Sequence, residues 1–398
     1  MSHHYIAYRA ARLVPWLDPA RGREIHNAIK VLDNAVLLTC DGKILAVGRR
    51  LSLPSGCVIR DLGPVTIAPP LVNCHTHLQL SWLKGKTRFG AGFTNWLRSL
   101  APHILAFLAN GPGPDFRPAI SRACAELTDS GCGFAGDIGG SLPGALSVTD
   151  NSASHAGLTI RHFCEWFGFG APGIWPERCR DEIAADGALA AKCSPAGHAL
   201  YSTSPEQLVK SHAWCSQTGR KFSFHLAESS EEQELLLTGA GPLADFYKPA
   251  VLPQGWRPPG LTPYRLAEKL GILTANTIAV HGVWLQPDEI RDLAATGTAL
   301  CLCPRSNRNI GSGTAPVRSL ANAGVFLCLG TDGLTSSENL DLRMDAAILR
   351  EQLSPQAVLR IACANGAQAL GLPSQGLQPG APAKFSLWED GLLQPEQI

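Results

Sequence analysis

From residue 66 onward, short apolar runs of strand character alternate with stretches of helical periodicity, eight of each. Strand candidates fall at 66–73, 133–138, 159–166, 197–201, 222–227, 277–281, 299–303 and 326–330. Helical patterns lie at 94–108, 118–130, 205–218, 231–237, 262–270, 287–295, 317–323 and 339–352. Several open on a capping residue followed by proline, as at Ser204-Pro205 and Thr262-Pro263. Such alternation calls for parallel strands covered by helices, and eight units predict an α/β (β/α)8 TIM-type barrel. A doubly wound open sheet is the rival, but no Gly-x-Gly-x-x-Gly follows the first strand. Ahead of these units, 35–39 and 44–47 flank the two-residue turn Asp41-Gly42. A final strand is read at 384–389, beyond a Gly/Pro-rich tail. The expected organisation is a composite β-sandwich domain from 1–66 and 373–398, beside a barrel at 67–372.

Composition limits the partners. The 398 residues carry 34 Lys+Arg against 33 Asp+Glu, a net charge of +1. So balanced a surface does not favour nucleic acid or an anionic membrane. A hydrophobic share of 45% with only 17% charged residues excludes disorder as a whole-chain description. No uncharged run reaches the ~18 apolar residues of a spanning helix, and no apolar leader segment precedes Glu24. The 13 cysteines include no Cys-x-x-Cys pair and read as reduced, buried side chains of a cytoplasmic protein. The expected partner is a small-molecule substrate, and a homo-oligomer is left open.

The chemistry-bearing residues gather at strand ends. In Asn73-Cys74-His75-Thr76-His77 the two imidazoles stand at i and i+2 and so point to one side of a strand. Alone, this pattern is weak, and two ordinary loop histidines are the alternative. His225 closes the apolar run from Phe222 and is followed by Leu226-Ala227-Glu228. His281 closes Ile278-Ala279-Val280, and Asp332 follows the run from Phe326 to Thr331. In a barrel these ends converge on the C-terminal face, where active sites lie.

These motifs carry a family resemblance. The chain resembles the amidohydrolase superfamily, in its mononuclear aminohydrolase and chlorohydrolase branch. The matching pieces are Asn-Cys-His75-Thr-His77-Leu, His225-Leu-Ala-Glu228, Val-His281-Gly, Cys303-Pro-Arg-Ser-Asn307, Gly330-Thr-Asp332 and Ala364-Asn-Gly-Ala-Gln-Ala-Leu-Gly371, in order along nearly the whole chain. Pro69-Pro70 and Ala383-Lys-Phe385 depart from the usual Pro-Gly and Ala-Asp-Leu, away from the proposed ligands. The resemblance implies a barrel with a terminal β-sandwich, and one divalent metal held by His75, His77, His225 and Asp332. Zinc is the first expectation for such ligands and iron the second. The fourth strand carries no lysine that could bridge a second ion.

The implied reaction is hydrolytic deamination. A metal lowers the pKa of water. Asp332 and His281 orient that water and take its proton, and Glu228 protonates a ring nitrogen. On an unbroken strand Glu228 would face away from His225, so this role requires the backbone to turn near Ala227; the alternative is a helix from His225 with Glu228 on its solvated face. The loop from Trp82 to Arg98 is similar to that of aminofutalosine deaminases, which act on an adenine nucleoside bearing a benzoate on its ribose during menaquinone synthesis. His198 and Arg305 are candidate ribose or carboxylate contacts, with a satisfied core histidine and an ion pair as their alternatives. Trp82, Phe93 and Trp96 are candidates for purine stacking, with simple core packing as the alternative. Glu165 and Asn307 complete the substrate-binding candidates. Thr94 and Asn95 stand where relatives acting on adenosine or S-adenosylhomocysteine carry an acid. Competing readings are a deaminase of guanine, adenosine or S-adenosylhomocysteine, a chlorohydrolase or cyclic-amide hydrolase, and a metal-free pseudoenzyme acting as a binding module.

Overall fold

The structure is a computed structural model describing residues 3–170, 173–373 and 376–389. The last part of the expected terminal domain, 390–398, lies outside the described residues. Near the chain start run β1 (Tyr5–Leu13), β2 (Leu32–Cys40), β3 (Lys43–Gly48), β4 (Val58–Asp61) and β5 (Val65–Ala68). The expected hairpin is β2–β3, with Asp41 at φ +49° and Gly42 at φ +76° in its turn.

The single strand expected at 66–73 is divided in two. Pro69 and Pro70 offer no N–H donor and interrupt the ladder, so β5 stays with the terminal sheet and β6 (Leu71–Thr76) begins a second system. Seven more parallel strands follow: β7 (Cys132–Gly139), β8 (Thr159–Trp166), β9 (Cys193–Gly197), β10 (Phe222–Leu226), β11 (Thr277–His281), β12 (Ala299–Leu302) and β13 (Phe326–Leu329). They form two four-stranded parallel sheets, β6-β7-β8-β9 and β10-β11-β12-β13. Parallel bridges join the sheets on both sides, Ala199 with His225 and Thr76 with Asp332. At these seams His225 N–H donates to the His198 carbonyl (2.8 Å) and Asp332 N–H to the His75 carbonyl (3.0 Å). Helices between the strands carry the main apolar core. Two helix starts match their sequence signals: Ser204 accepts from Gln207 N–H and Thr262 from Arg265 N–H, each with proline at the first helical position.

β14 (Ser386–Glu389) returns antiparallel to β5, giving a six-stranded terminal sheet in the order β14-β5-β1-β2-β3, with β4 also beside β1. The tail before β14 runs along β3, where Gly380 N–H donates to the Ile44 carbonyl and Ile44 N–H to the Ala381 carbonyl. Leu377 joins Leu13, Leu37, Ile44 and Ile67 in one small core. Both chain ends thus close one β unit. No helix among the described residues is long and apolar enough to cross a membrane.

Candidate metal centre and active site

β6 delivers His75 fully buried, and His77 follows at its end. Two strands pin this segment. Asn73 Nδ2 donates to Thr331 Oγ1 (2.7 Å), and Thr76 Oγ1 donates to the Asp332 carbonyl (2.8 Å). The glycine before Thr331-Asp332 is required by space, because a Cβ on Gly330 would stand 2.8 Å from the His75 carbonyl oxygen. Sequence reading passed over Asn73, Thr76 and Thr331; their spacing from the histidines was the available signal.

The ring nitrogens of His75, His77 and His225 include one donor each that lie within 4.8 Å of one another. Asp332 Oδ1 is 3.5 Å from His75 Nε2 and 3.3 Å from His77 Nε2. Its other oxygen accepts from Ser306 Oγ (2.6 Å) and Ser336 Oγ (2.8 Å). Neither serine was singled out from sequence: Ser306 lies within the Cys303-Pro-Arg-Ser-Asn307 motif, where Arg305 and Asn307 drew attention, and Ser336 lies in no motif. His225 Nδ1 donates to the His198 carbonyl (2.7 Å), which leaves its Nε2 lone pair directed elsewhere. Neither ring nitrogen of His75 has a hydrogen-bond partner although both are buried. Three imidazoles and a carboxylate so arranged fit a divalent cation: the orphaned nitrogens of His75 need a partner, and nitrogen and oxygen donors suit zinc or iron.

Burial lowers the pKa of His77 to about 4 and that of His225 well below the usual range, favouring the neutral imidazoles that ligation needs. Burial alone would raise Asp332, but its close contact with His75 (3.5 Å) and the neighbouring imidazoles hold it well below the normal carboxylate range.

The strand β10 ends at Leu226, and Ala227 then takes φ +50°. This left-handed residue reverses the expected outward direction of Glu228. Glu228 Oε1 comes within 3.3 Å of His281 Nε2, and the following helix, Ser230–Thr238, begins beyond it. Burial, with the charges of Asp332 and Glu232, pushes the Glu228 carboxyl well above its usual pKa. His281 Nδ1 donates to Asn307 Oδ1 (2.8 Å), leaving Nε2 as the acceptor that faces Glu228.

Several substrate-contact expectations are corrected. Arg305 is 4% exposed, and its donors go to Asp345 (Nη2–Oδ2 2.7 Å), Asn339 Oδ1 and the Asp341 carbonyl. It is a buried ion pair. Asn307 supports His281 from behind. Phe93 and Trp96 belong to the main apolar core, with Trp96 Nε1 donating to the Thr335 carbonyl (2.7 Å). Trp82 packs on Phe107, with Lys86 over its ring. The strand expected at 197–201 lies at Cys193–Gly197, so His198 stands just past its end. His198 is half-buried, its ring 4.9 Å from that of His225. Glu165, at the end of β8, has ligand atoms grouped with those of His198 and His225, and burial raises its pKa to about 8.

A sequence model of the amidohydrolase family matches residues 66–397. The chain belongs to the amidohydrolase family. Among its relatives, an aminodeoxyfutalosine deaminase of Deinococcus radiodurans is 30% identical over 82% of this chain and 77% of its own length. A 5-methylthioadenosine/S-adenosylhomocysteine deaminase of Pelotomaculum thermopropionicum is also 30% identical, over 86% and 77%. Among solved structures, the aminofutalosine deaminase of Helicobacter pylori in complex with methylthio-coformycin superposes with a TM-score of 0.75 at 20% identity, covering 96% of this chain and 91% of its own. That likeness is one of fold.

Proposed function

We propose that this amidohydrolase replaces the exocyclic amino group of an adenine nucleoside by oxygen, releasing ammonia, with 6-amino-6-deoxyfutalosine as the first-choice substrate. As an amidohydrolase with deaminase relatives, the chain is a hydrolase of carbon–nitrogen bonds. The observation that carries the deaminase reading is Glu228: a buried carboxyl, turned by Ala227 into the histidine cluster and lying 3.3 Å from His281 Nε2. Attack of water at an sp² carbon bearing an amino group needs a proton for the adjacent ring nitrogen, and such a group supplies it. A chlorohydrolase has less use for a donor at that place.

In this reading His75, His77, His225 and Asp332 hold one divalent ion, zinc before iron. When bound, it lowers the pKa of water and polarises the reacting centre. Asp332, fixed by Ser306 and Ser336, accepts a proton from the attacking water, and His281, fixed by Asn307, orients it. Glu228 gives its proton to the ring nitrogen. The water oxygen bonds to carbon, and Asp332 passes the proton it took from the water to the amino group. The carbon–nitrogen bond then breaks to release ammonia as the remaining hydroxyl proton returns to Glu228. The bridges at both seams support one closed (β/α)8 barrel at 67–372 as the catalytic unit, with 1–66 and 373–398 as the composite β domain.

The equal identity of the methylthioadenosine/S-adenosylhomocysteine deaminase relative favours its substrates as the second reading. The deciding experiment compares kcat/KM for 6-amino-6-deoxyfutalosine, adenosine, methylthioadenosine, S-adenosylhomocysteine and guanine, read by the ultraviolet change from amino- to oxopurine. Preference for another nucleoside by tenfold, about 1.4 kcal/mol in the transition state, would overturn the substrate but keep the deaminase. No turnover of any aminopurine by protein carrying one ion per chain would overturn the deaminase.

A further inference from the structure

With Trp82, Phe93 and Trp96 packed into apolar surroundings, the substrate's sugar and its substituent need other contacts. The end of β8 offers them. Glu165 lies near the end of β8 and Phe167 just past it, and both neighbour His198, whereas Trp166 between them donates through Nε1 to the Ile174 carbonyl (3.2 Å). Glu165 is only 6% exposed, and its Oε1 has no hydrogen-bond partner. No lysine or arginine is paired with it among the described residues. An orphaned buried oxygen of this kind asks for a neutral donor from outside the chain. Phe167 is 46% exposed, its ring 5.1 Å from that of His198 and 6.2 Å from that of Tyr247. His198 in turn lies 4.9 Å from His225. Two ring steps therefore lead from the cation cluster to an exposed aromatic face. The edge is built firmly: Gly168 N–H donates to the Ser202 carbonyl (2.6 Å), His198 N–H to the Trp166 carbonyl (2.9 Å) and Thr203 Oγ1 to the same carbonyl (2.8 Å). Its geometry is set before any ligand arrives.

We infer that Glu165 accepts a sugar hydroxyl of the nucleoside, and that Phe167 packs on the apolar or aromatic substituent at the far end of that sugar. The inference rests on the deaminase reading and adds the two contacts that would set its substrate preference. A hydroxyl fits Glu165 because it donates without bringing a charge into a buried site. An aryl or thioether group fits Phe167 because it covers a ring otherwise left in water.

The test uses the metal-loaded full chain, Glu165→Leu and Phe167→Ala. Leucine fills the place of Glu165 without an orphaned polar atom, so the melting temperature should hold or rise; a structural role would lower it. The unmodified protein should prefer adenosine over 2′,3′-dideoxyadenosine by at least tenfold in kcat/KM, and Glu165→Leu should erase that preference. Phe167→Ala should cut kcat/KM for 6-amino-6-deoxyfutalosine at least tenfold more than for adenosine. Retained hydroxyl discrimination in Glu165→Leu, or equal losses on both substrates in Phe167→Ala, overturns the inference while the deaminase stands. Loss of a metal equivalent in Glu165→Leu overturns it too, by making Glu165 a ligand. If the unmodified protein turns over no aminopurine, the deaminase reading fails first and this inference with it.

Discussion

Ala227 at φ +50° occupies a backbone region that costs an L residue roughly 1–2 kcal/mol, and what it achieves is the direction of the next side chain. Glu228→Gln keeps that shape but cannot pass a proton. It should retain its metal, as read by elemental analysis, and lose about 100–10,000-fold in kcat; turnover near that of the unmodified protein would leave the mechanism without its donor. His162 offers a second test at this scale. Burial alone would lower its pKa, but a hydrogen bond to Asp137 (3.1 Å) and the nearby carboxylate of Asp150 (3.5 Å) raise it from 6.5 to about 9. A histidine raised in the folded state stabilises fully below its unfolded pKa and loses that contribution as pH rises through the folded one. The stability gap between the unmodified protein and His162→Gln should therefore be largest near pH 6, on the order of 2–3 kcal/mol, and shrink between about pH 6.5 and 9. A pH-independent gap in urea unfolding would contradict it. His75, His77, His225 and Glu228 stood out in the sequence because each lies at or just past the end of a strand. The partners of Arg305 did not, because Asp345 lies forty positions away and no local pattern announces the pair.

Among the elements, most strands were readable from apolar runs, and β8 and β11 have the bounds expected. β9 was misplaced: Cys193-Ser-Pro-Ala-Gly197 lacks the β-branched residues that mark a strand, while the apolar residues after it lie in a tight turn. The long strand at 66–73 needed its two prolines read as a boundary. Packing between β6, β7 and β8 carries a tie that no single motif reveals. Asp137, on β7, accepts from Leu78 N–H (2.9 Å), the residue after His77, and its other oxygen is held by His162 of β8. Removing this tie should loosen His77. Asp137→Ala is expected to weaken metal binding about 10–100-fold in chelator competition. Asp137→Asn, which keeps an acceptor for Leu78, should weaken it less. Equal affinity in Asp137→Ala and the unmodified protein would make the tie irrelevant to the site.

For the whole molecule, the eightfold alternation indicated parallel strands covered by helices, and the family model spans the same region. What it could not indicate was how the two four-stranded sheets meet, because neither seam has a long hydrogen-bonded ladder. The donors at the seams are the backbone N–H groups of His225 and Asp332 themselves. The proposed ligands thus come from both sheets: His75 and His77 from the first, His225 and Asp332 from the second. An ion held by all four would act as a rivet through both joints, and local opening would have to break a chelate as well as two hydrogen bonds. Amide hydrogen exchange at 225 and 332 should then slow together on metal loading, well beyond any change in the terminal sheet. Uniform slowing across the chain would point to global stabilisation instead. On this view the ring and its chemistry are assembled in one event, so an isolated half-ring, however well folded, would lack half of its ligands.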